Sequence, residues 1–187
     1  MEEVKGYKAF NKDATNRYGK PFTEGETYRV VGDIKFGNDG NGFHLCTSLS
    51  DVFRYVNAIE EDVLVALVTG RGEMAHFDDN YYGYYDMYAV EEITIDRFLS
   101  REEIIDKMLN SPAHEVRKFL ATCRLSEKEK VLFARKFRND METIKHLLYH
   151  HFGCTEIYQG KTGEIDYKSL RLVLDNGQDN NKGCKGE

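Results

Sequence analysis

The sequence lacks tryptophan, has only two prolines and four cysteines, and contains no long apolar run. A membrane-spanning helix needs roughly 18 consecutive apolar residues, so we expect no membrane span. The first residues are charged and lack the apolar segment of a secretory signal, which predicts a cytoplasmic location. The cysteines are far apart and form no Cys-x-x-Cys pair, which favours reduced thiols over a disulfide framework.

An excess of positive charge is also missing. The chain of 187 residues carries 26 Lys and Arg against 32 Asp and Glu, a formal net charge of −6. Binding to nucleic-acid phosphates usually requires a basic surface, so this balance argues against a general nucleic-acid-binding role. Aromatic residues are abundant, with 12 Tyr and 11 Phe. The length is sufficient for one sizeable core, or for one domain with a helical appendage.

The rest of the predicted fold is arranged around a strand that runs directly into a helix. The strand ends at Cys46, Thr47 and Ser48, and a helix is expected from residue 48 to residue 58. Ser48 or Ser50 is expected to cap this helix by accepting a backbone hydrogen bond. The free N–H groups at such a junction favour an anionic ligand.

Other segments before residue 98 have strand character because their residues alternate between apolar and polar or are wholly apolar. They are residues 6–10, 25–32, 62–68 and 87–95. The glycines within residues 70–73 are expected to end the third of these strands. Residues 37–42 are expected to form a turn. The alternative is a phosphate-binding glycine loop, but no Gly-Lys-Ser/Thr follows it.

From residue 100 the pattern changes to consecutive helices with recognisable start signals. The predicted signals are Ser100 with Glu103, Pro112 at a first helical position, Ser126 with Glu129, and Asn139 with Glu142. The order of elements predicts an α+β protein with a small mixed or antiparallel sheet and one early helix over residues 1–98. A helical segment packed on that domain is expected over residues 99–174, and a disordered tail over residues 175–187.

Three segments together resemble the ADP-ribosyltransferase superfamily. In that family a first strand carries a basic residue, a later strand ends in Ser-Thr-Ser before a helix, and the last strand opens with the catalytic glutamate. The matching segments are Tyr7-Lys8-Ala9, Cys46-Thr47-Ser48 and Val90-Glu91-Glu92-Ile93-Thr94-Ile95. Val90 replaces the first glutamate of the Glu-x-Glu form, which argues against arginine acceptors. Residues 6–13 and 42–46 are also similar to an uncharacterised domain of phage and mobile-element proteins.

The resemblance covers residues 6–98 and implies an ADP-ribosyltransferase-like fold that binds NAD. It implies that Glu92 is catalytic, binding the ribose 2′-hydroxyl and stabilising an oxocarbenium-like transition state as nicotinamide leaves. The residues it assigns to the cofactor are Lys8 at the pyrophosphate, Thr47 and Ser48 at the strand end, and Tyr84 and Tyr85 as stacking groups. The alternative is structural: a solvated strand lysine, helix-capping hydroxyls and surface charges.

A tyrosine-rich segment lies between the last two predicted strands, next to aspartates. Its tyrosines are Tyr81, Tyr82, Tyr84, Tyr85 and Tyr88. Aromatic residues are enriched at protein interfaces, so the segment predicts a host protein partner. Packing within the fold and stacking on a ligand are the alternatives.

Two features of the helical half have an ordinary structural explanation. His146 and His150 share one helical face near Cys154, a spacing that transition metals use, but the His-Glu-x-x-His glutamate is missing. Histidines near a helix C-terminus are also favoured by the helix dipole, so we expect no metal. The basic residues between 117 and 138 are interspersed with glutamates, which favours a salt-bridged, solvated face over a nucleic-acid contact.

The sequence therefore leaves two functional hypotheses. The first is an NAD-binding, ADP-ribosyltransferase-like protein of phage or mobile-element origin. The second is a non-enzymatic acidic interaction protein that binds and modulates a host protein, as a counter-defence factor or an adaptor. They differ over Glu92, because the enzyme requires it in a cleft facing Lys8 and Ser48.

Overall fold

A computed structural model describes residues 2–36, 40–56, 58–59, 62–78 and 86–153. It confirms the α+β class, with an antiparallel sheet and one early helix preceding a run of helices. The chain divides into two compact units between Ile104 and Ile105. Among the described residues, no helix is long and apolar enough to cross a membrane.

The first unit contains the sheet. Its elements are β1 (Glu3–Asn11), β2 (Thr27–Arg29), β3 (Phe43–Cys46), α1 (Leu49–Val52), a 3-10 turn (Phe53–Tyr55), β4 (Val63–Asp78) and β5 (Asp86–Phe98). The later helices are α2 (Arg101–Leu109), α3 (Ala113–Thr122), α4 (Glu127–Lys136) and α5 (Met141–Phe152).

Four of the strands close into a ring of antiparallel pairs. β1 pairs with β3 and β4, and β5 pairs with the same two strands. β2 extends the sheet from β5. The interior is filled by buried apolar side chains, including Phe10, Leu45, Val68, Val90 and Ile93. These residues come from β1, β3, β4 and β5, so the core depends on contacts between distant parts of the sequence.

The predicted end of the third long strand at residues 70–73 is wrong. β4 continues to Asp78, and an irregularity between Arg71 and Met74 shifts its register against β5. Gly72 has φ +83°, and a Cβ there would lie 2.4 Å from the Glu91 carboxylate. The glycine therefore allows a bulge where an ordinary residue would be strained, and the strand bends without ending. As a result β4 and β5 form one long hairpin.

The early helix is shorter than predicted. It is four residues of α-helix followed by one 3-10 turn, and it ends at Tyr55 rather than at residue 58. Ser48 occupies the N-cap position, but its side chain makes no capping hydrogen bond, and its Oγ lies 3.2 Å from Ser50 Oγ. Val52 and Phe53 are buried, whereas Tyr55 is exposed.

The helix start signals are largely confirmed. The Ser100–Glu103 and Ser126–Glu129 boxes each have both reciprocal hydrogen bonds. Two positions differ by one residue. Pro112 is the N-cap of α3 rather than its first helical residue. Asp140, not Asn139, caps α5 and accepts a hydrogen bond of 3.1 Å from the Thr143 N–H. The predictions beyond Gly153 lie outside the described residues.

Candidate functional site

β1 and β3 come together where Tyr7 of β1 pairs with Cys46 of β3. Gly6 permits this approach, because a Cβ there would lie 2.4 Å from the Cys46 carbonyl oxygen. The next inward residue of β1 is Lys8. Its ammonium donates a hydrogen bond of 2.9 Å to the carbonyl oxygen of His44 on β3. Lys8 is thereby held against the strand that carries Thr47 and Ser48 at its end.

The groups at this β1–β3 junction have shifted pKa values. Burial, opposed by Cys46 and assisted by a smaller effect of Arg17, lowers the pKa of Lys8 to about 8. Burial also lowers the pKa of His44, with smaller contributions from Lys8 and Arg17. Burial, with a smaller contribution from Asp51, raises the pKa of the Cys46 thiol to about 12. Cys46 is therefore a neutral, unreactive thiol at neutral pH.

A chain of hydrogen bonds lies where β5 begins. Thr47 Oγ1 donates to one oxygen of the Asp86 carboxylate at 2.9 Å. The other oxygen of that carboxylate contacts the ring Nε2 of His76 on β4. The Thr47 backbone N–H also donates to the Asp86 carbonyl oxygen at 3.1 Å. Asp86 is therefore fixed on both oxygens, and about half of its side-chain surface remains exposed (49%).

Aromatic rings cover both faces of the same hairpin. We define the hairpin end as residues 76–78 of β4 and 86–88 of β5. On one face the His76 ring stacks on Tyr88 with centroids 4.5 Å apart. On the other face Phe36 lies between His44, at 5.2 Å, and Phe77, at 5.5 Å. Phe77 keeps 40% of its surface exposed.

Glu92 lies elsewhere on β5. It pairs across the sheet with Arg29 of β2 and with Arg71 of β4. It lies six positions after Asp86, which is about 20 Å along an extended strand. The neighbouring Glu91 bonds Arg29 at 2.9 and 2.6 Å and accepts the Glu73 N–H at 3.1 Å. The surroundings of Glu92 are those of a cross-strand charge row.

The structure thus brings together only part of the predicted set. Lys8, Thr47 and Ser48 lie on or beside the paired strands β1 and β3. The register of β5 does not bring Glu92 to Thr47. Tyr84 and Tyr85 lie outside the described residues. The carboxylate that does meet Thr47 is that of Asp86.

Sequence reasoning missed the roles of Asp86 and His76. It ended β4 at the glycines, so His76 did not fall on a strand. Had the bulge been recognised, the register of the hairpin would have placed His76 opposite Tyr88 and Asp78 opposite Asp86. The signal was a pair of strands of similar character on either side of a turn-rich segment.

The histidines of α5 contact their own helix and α3. The His146 and His150 ring centroids are 5.9 Å apart, and His146 Nδ1 lies 3.0 Å from the Glu142 carbonyl oxygen. His151 Nε2 lies 2.9 Å from the Leu120 carbonyl oxygen. Within the described ranges, no group of three or more His, Cys, Asp or Glu side chains is placed to hold a metal ion.

Several basic residues of the helical half form ion pairs, some within one helix and one between neighbouring helices. Lys130 bonds Glu127 at 2.7 Å, and Lys118 lies 3.7 Å from Glu115. Arg117 is 3.8 Å from Asp140, the cap of α5. These pairs agree with the interpretation of this stretch as a salt-bridged face.

Comparison with known proteins gives a family but no activity. The model of a family described as a domain of unknown function, DUF7666, matches residues 4–107. No curated protein and no solved structure matches the chain. The matched segment spans the ring of strands, the β1–β3 junction and most of α2. Since this match covers more than half of the 187 residues, the chain belongs to the DUF7666 family.

Proposed function

We propose that this protein is an acidic interaction module that binds a host protein in the cytoplasm and modulates it through the hairpin end. The observation that supports this proposal most directly is Phe77, an aromatic side chain left 40% exposed while a neighbouring ring holds it in place. A ring packed against a neighbouring ring presents a large contact area with little loss of conformational entropy on binding. Such rings are frequent anchors at protein interfaces.

The surroundings of Phe77 supply further contact groups. The stack of His76 on Tyr88 lies on the opposite face of the same hairpin. The sequence connecting the two strands contains Tyr81, Tyr82, Tyr84 and Tyr85. Tyrosines combine apolar area with a hydroxyl group, which suits them to contacts that are partly hydrated. A partner at the hairpin end would meet the described rings of His76, Phe77 and Tyr88.

Charge indicates the chemistry of that partner. Residues 1–100 contain 18 Asp and Glu against 10 Lys and Arg. An acidic surface attracts a basic one at long range, and arginine or lysine side chains bind the faces of exposed aromatic rings. We therefore propose a partner with a basic surface.

The test uses a photo-crosslinking amino acid at position 77 in cells, with the same residue at position 132 as the control. Leu132 has a similar exposure (46%) but lies in α4. The proposal predicts one recurrent protein cross-linked from position 77, with lower yield at high salt. It is overturned if both positions capture the same proteins, or if position 77 captures none. Phe77→Ser and Leu132→Ser, compared by affinity against the identified protein, then measure the contribution of the ring.

A second candidate is the NAD-binding, ADP-ribosyltransferase-like activity of phage or mobile-element origin. One observation favours it. A carboxylate at the start of the last strand bonds a hydroxyl of Cys46-Thr47-Ser48, although this carboxylate is Asp86 rather than Glu92. Titration with NAD while nicotinamide release is followed separates the two acids. Release lost in Asp86→Asn but retained in Glu92→Gln assigns the activity to Asp86, and the opposite pattern assigns it to Glu92. No binding at millimolar NAD rejects the enzyme.

A further inference from the structure

Three aromatic rings meet where the segment between β1 and β2 packs against β2 and β3. Phe22 lies in that segment, Tyr28 on β2 and Phe43 at the start of β3. The Phe22 ring centroid lies 4.6 Å from that of Tyr28, at an interplanar angle of 54°, and 6.1 Å from that of Phe43, at 87°. The rings are therefore inclined to one another, and we call these three residues the aromatic corner.

The aromatic corner holds the ammonium of Lys20. Lys20 Nζ lies over the Phe22 ring, 5.8 Å from its centroid, and over the Tyr28 and Phe43 rings, 5.4 Å from each centroid. Ring faces attract cations within about 6 Å of the centroid. Among the described residues Lys20 Nζ takes part in no hydrogen bond or ion pair, and the side chain is exposed. The ammonium is therefore solvated, and solvent reaches the three rings.

The walls of the aromatic corner are held by the surrounding structure. Phe22 and Phe43 are buried and belong to the core of the sheet unit. The Tyr28 hydroxyl accepts the Thr23 N–H at 2.8 Å and donates to the Glu26 carboxylate at 3.1 Å. A phenol that donates to a carboxylate has a more electron-rich ring, which strengthens its attraction for a cation. The rings are thus positioned whether or not a cation lies over them.

Lys20 reaches the aromatic corner from an ordered backbone. The Asn16 N–H donates to the Lys20 carbonyl oxygen at 3.0 Å, and the Asn16 side chain accepts the Lys20 N–H at 3.0 Å. The lysine side chain is a flexible four-carbon stem. Rotation about its bonds withdraws the ammonium into water without moving the loop, so Lys20 is an occupant that a second cation can displace.

We propose that the aromatic corner binds the alkylated ammonium group of an external ligand, and that Lys20 takes the place of this group when no ligand is bound. A lysine ammonium is compact and strongly hydrated. A trimethylammonium group is larger and less hydrated, so it contacts all three ring faces and gives up less hydration on entering. The Glu26 carboxylate adds negative charge beside the rings. The site uses none of the residues of the hairpin end, so its test is independent of the proposed function.

The site is tested by calorimetric titration of the purified full chain with choline and with 3,3-dimethyl-1-butanol, in which carbon replaces the charged nitrogen. Choline should bind about tenfold more tightly than this neutral analogue. Lys20→Ala empties the aromatic corner and should tighten choline binding. Lys12→Ala is the matched control, because it removes an equal charge from the same loop but takes away a lysine paired with Asp62. Tyr28→Leu keeps apolar volume, removes a ring face and should weaken choline binding roughly tenfold.

An NMR titration of the wild type covers the case in which a variant fails to fold. The ε-methylene protons of Lys20 lie over ring faces and should be shifted upfield. Saturating choline should return them to their ordinary position and leave those of Lys12 unchanged. The proposal is overturned if choline leaves the Lys20 resonances in place, if the neutral analogue binds as tightly as choline, or if Lys12→Ala tightens binding as much as Lys20→Ala.

A blocked trimethyllysine identifies the source of the ammonium group. Tighter binding than choline assigns the site to a methylated lysine side chain, whereas equal or weaker binding assigns it to a small-molecule cation.

Discussion

The two units of the chain are stabilised over different sequence distances. In the sheet unit, Glu3 pairs with Arg71 and Asn11 with Val63, so the ring forms only when distant segments meet. In the helical unit the stabilising contacts are local in sequence. They include caps such as Ser126 with Glu129 and ion pairs between residues three positions apart. Local sequence signals therefore specify the helices, whereas the strands form only when the distant segments of the ring pair with one another.

The largest predicted loss of unfolding free energy comes from the buried side chains of the helical unit. Phe119 is fully buried and its ring centroid lies 5.8 Å from that of Phe133. Phe119→Ala removes these contacts and leaves a cavity, which should cost about 4 kcal/mol of unfolding free energy. Hydrogen exchange should accelerate in α3, α4 and α5. Leu132→Ala, at an exposed position of α4, is the control and should change little.

At the β1–β3 junction of the sheet unit, we expect an added atom rather than a removed one to lower the unfolding free energy. Gly6→Ala places a methyl group 2.4 Å from the Cys46 carbonyl oxygen, which the strand cannot easily move. The expected cost is about 3 kcal/mol, measured by urea unfolding. Gly19→Ala is the matched control, because it strains a backbone with φ +75° but meets no atom within 4 Å. Equal costs for the two variants would show that the close approach of β1 to β3 is not what Gly6 provides.

The contrast between units explains which parts of the fold were predictable from sequence. Ser126 and Glu129 act on backbone groups within three residues, so their pattern was visible in the sequence itself. The bulge at Gly72 was not visible, because its energetics depend on the Glu91 carboxylate, which lies on another strand. A glycine in isolation indicates a break as readily as a bulge.

The candidate site divides in the same way between local and long-range contacts. Lys8 and Thr47 were selected because their segments resembled a known family, and the structure places them on or next to the neighbouring strands β1 and β3. Asp86 and His76 meet only through the register of the β4–β5 hairpin, which one irregularity in β4 shifts. A shift of register changes which side chains face each other, so these contacts required the structure.

Helix caps in the two units provide a smaller test of the comparison. Ser126→Ala removes a capping box and should cost about 1 kcal/mol. Ser48→Ala should cost less, because the Ser48 side chain makes no capping hydrogen bond to α1. Both costs are read from the denaturant midpoint. A larger loss for Ser48→Ala would mean that its contact with Ser50, rather than a cap, stabilises the strand end.

The smallest expected effect concerns acid stability at the start of α2. The Arg97 guanidinium and the Ser100 backbone N–H hold the pKa of Glu103 at about 2, well below its ordinary value of 4.5. The carboxylate is favoured in the folded state, so its contribution is present above the unfolded pKa and is lost as the pH falls from about 4.5 towards 2. Because this pair is exposed to solvent, the change should be modest.

Glu103→Gln should remove that part of the pH dependence and leave the rest of the acid unfolding curve unchanged. The neutral amide still has an oxygen for the Ser100 N–H, so the variant tests the charge more than the cap. Glu102→Gln is the matched control, since it leaves both the box and the pair with Arg97 intact. The measurement is the urea midpoint between pH 2 and pH 6. If the two glutamine variants follow the same curve, the ion pair of Glu103 with Arg97 adds no stability between β5 and α2. The capping box would then be the contact that stabilises the start of α2.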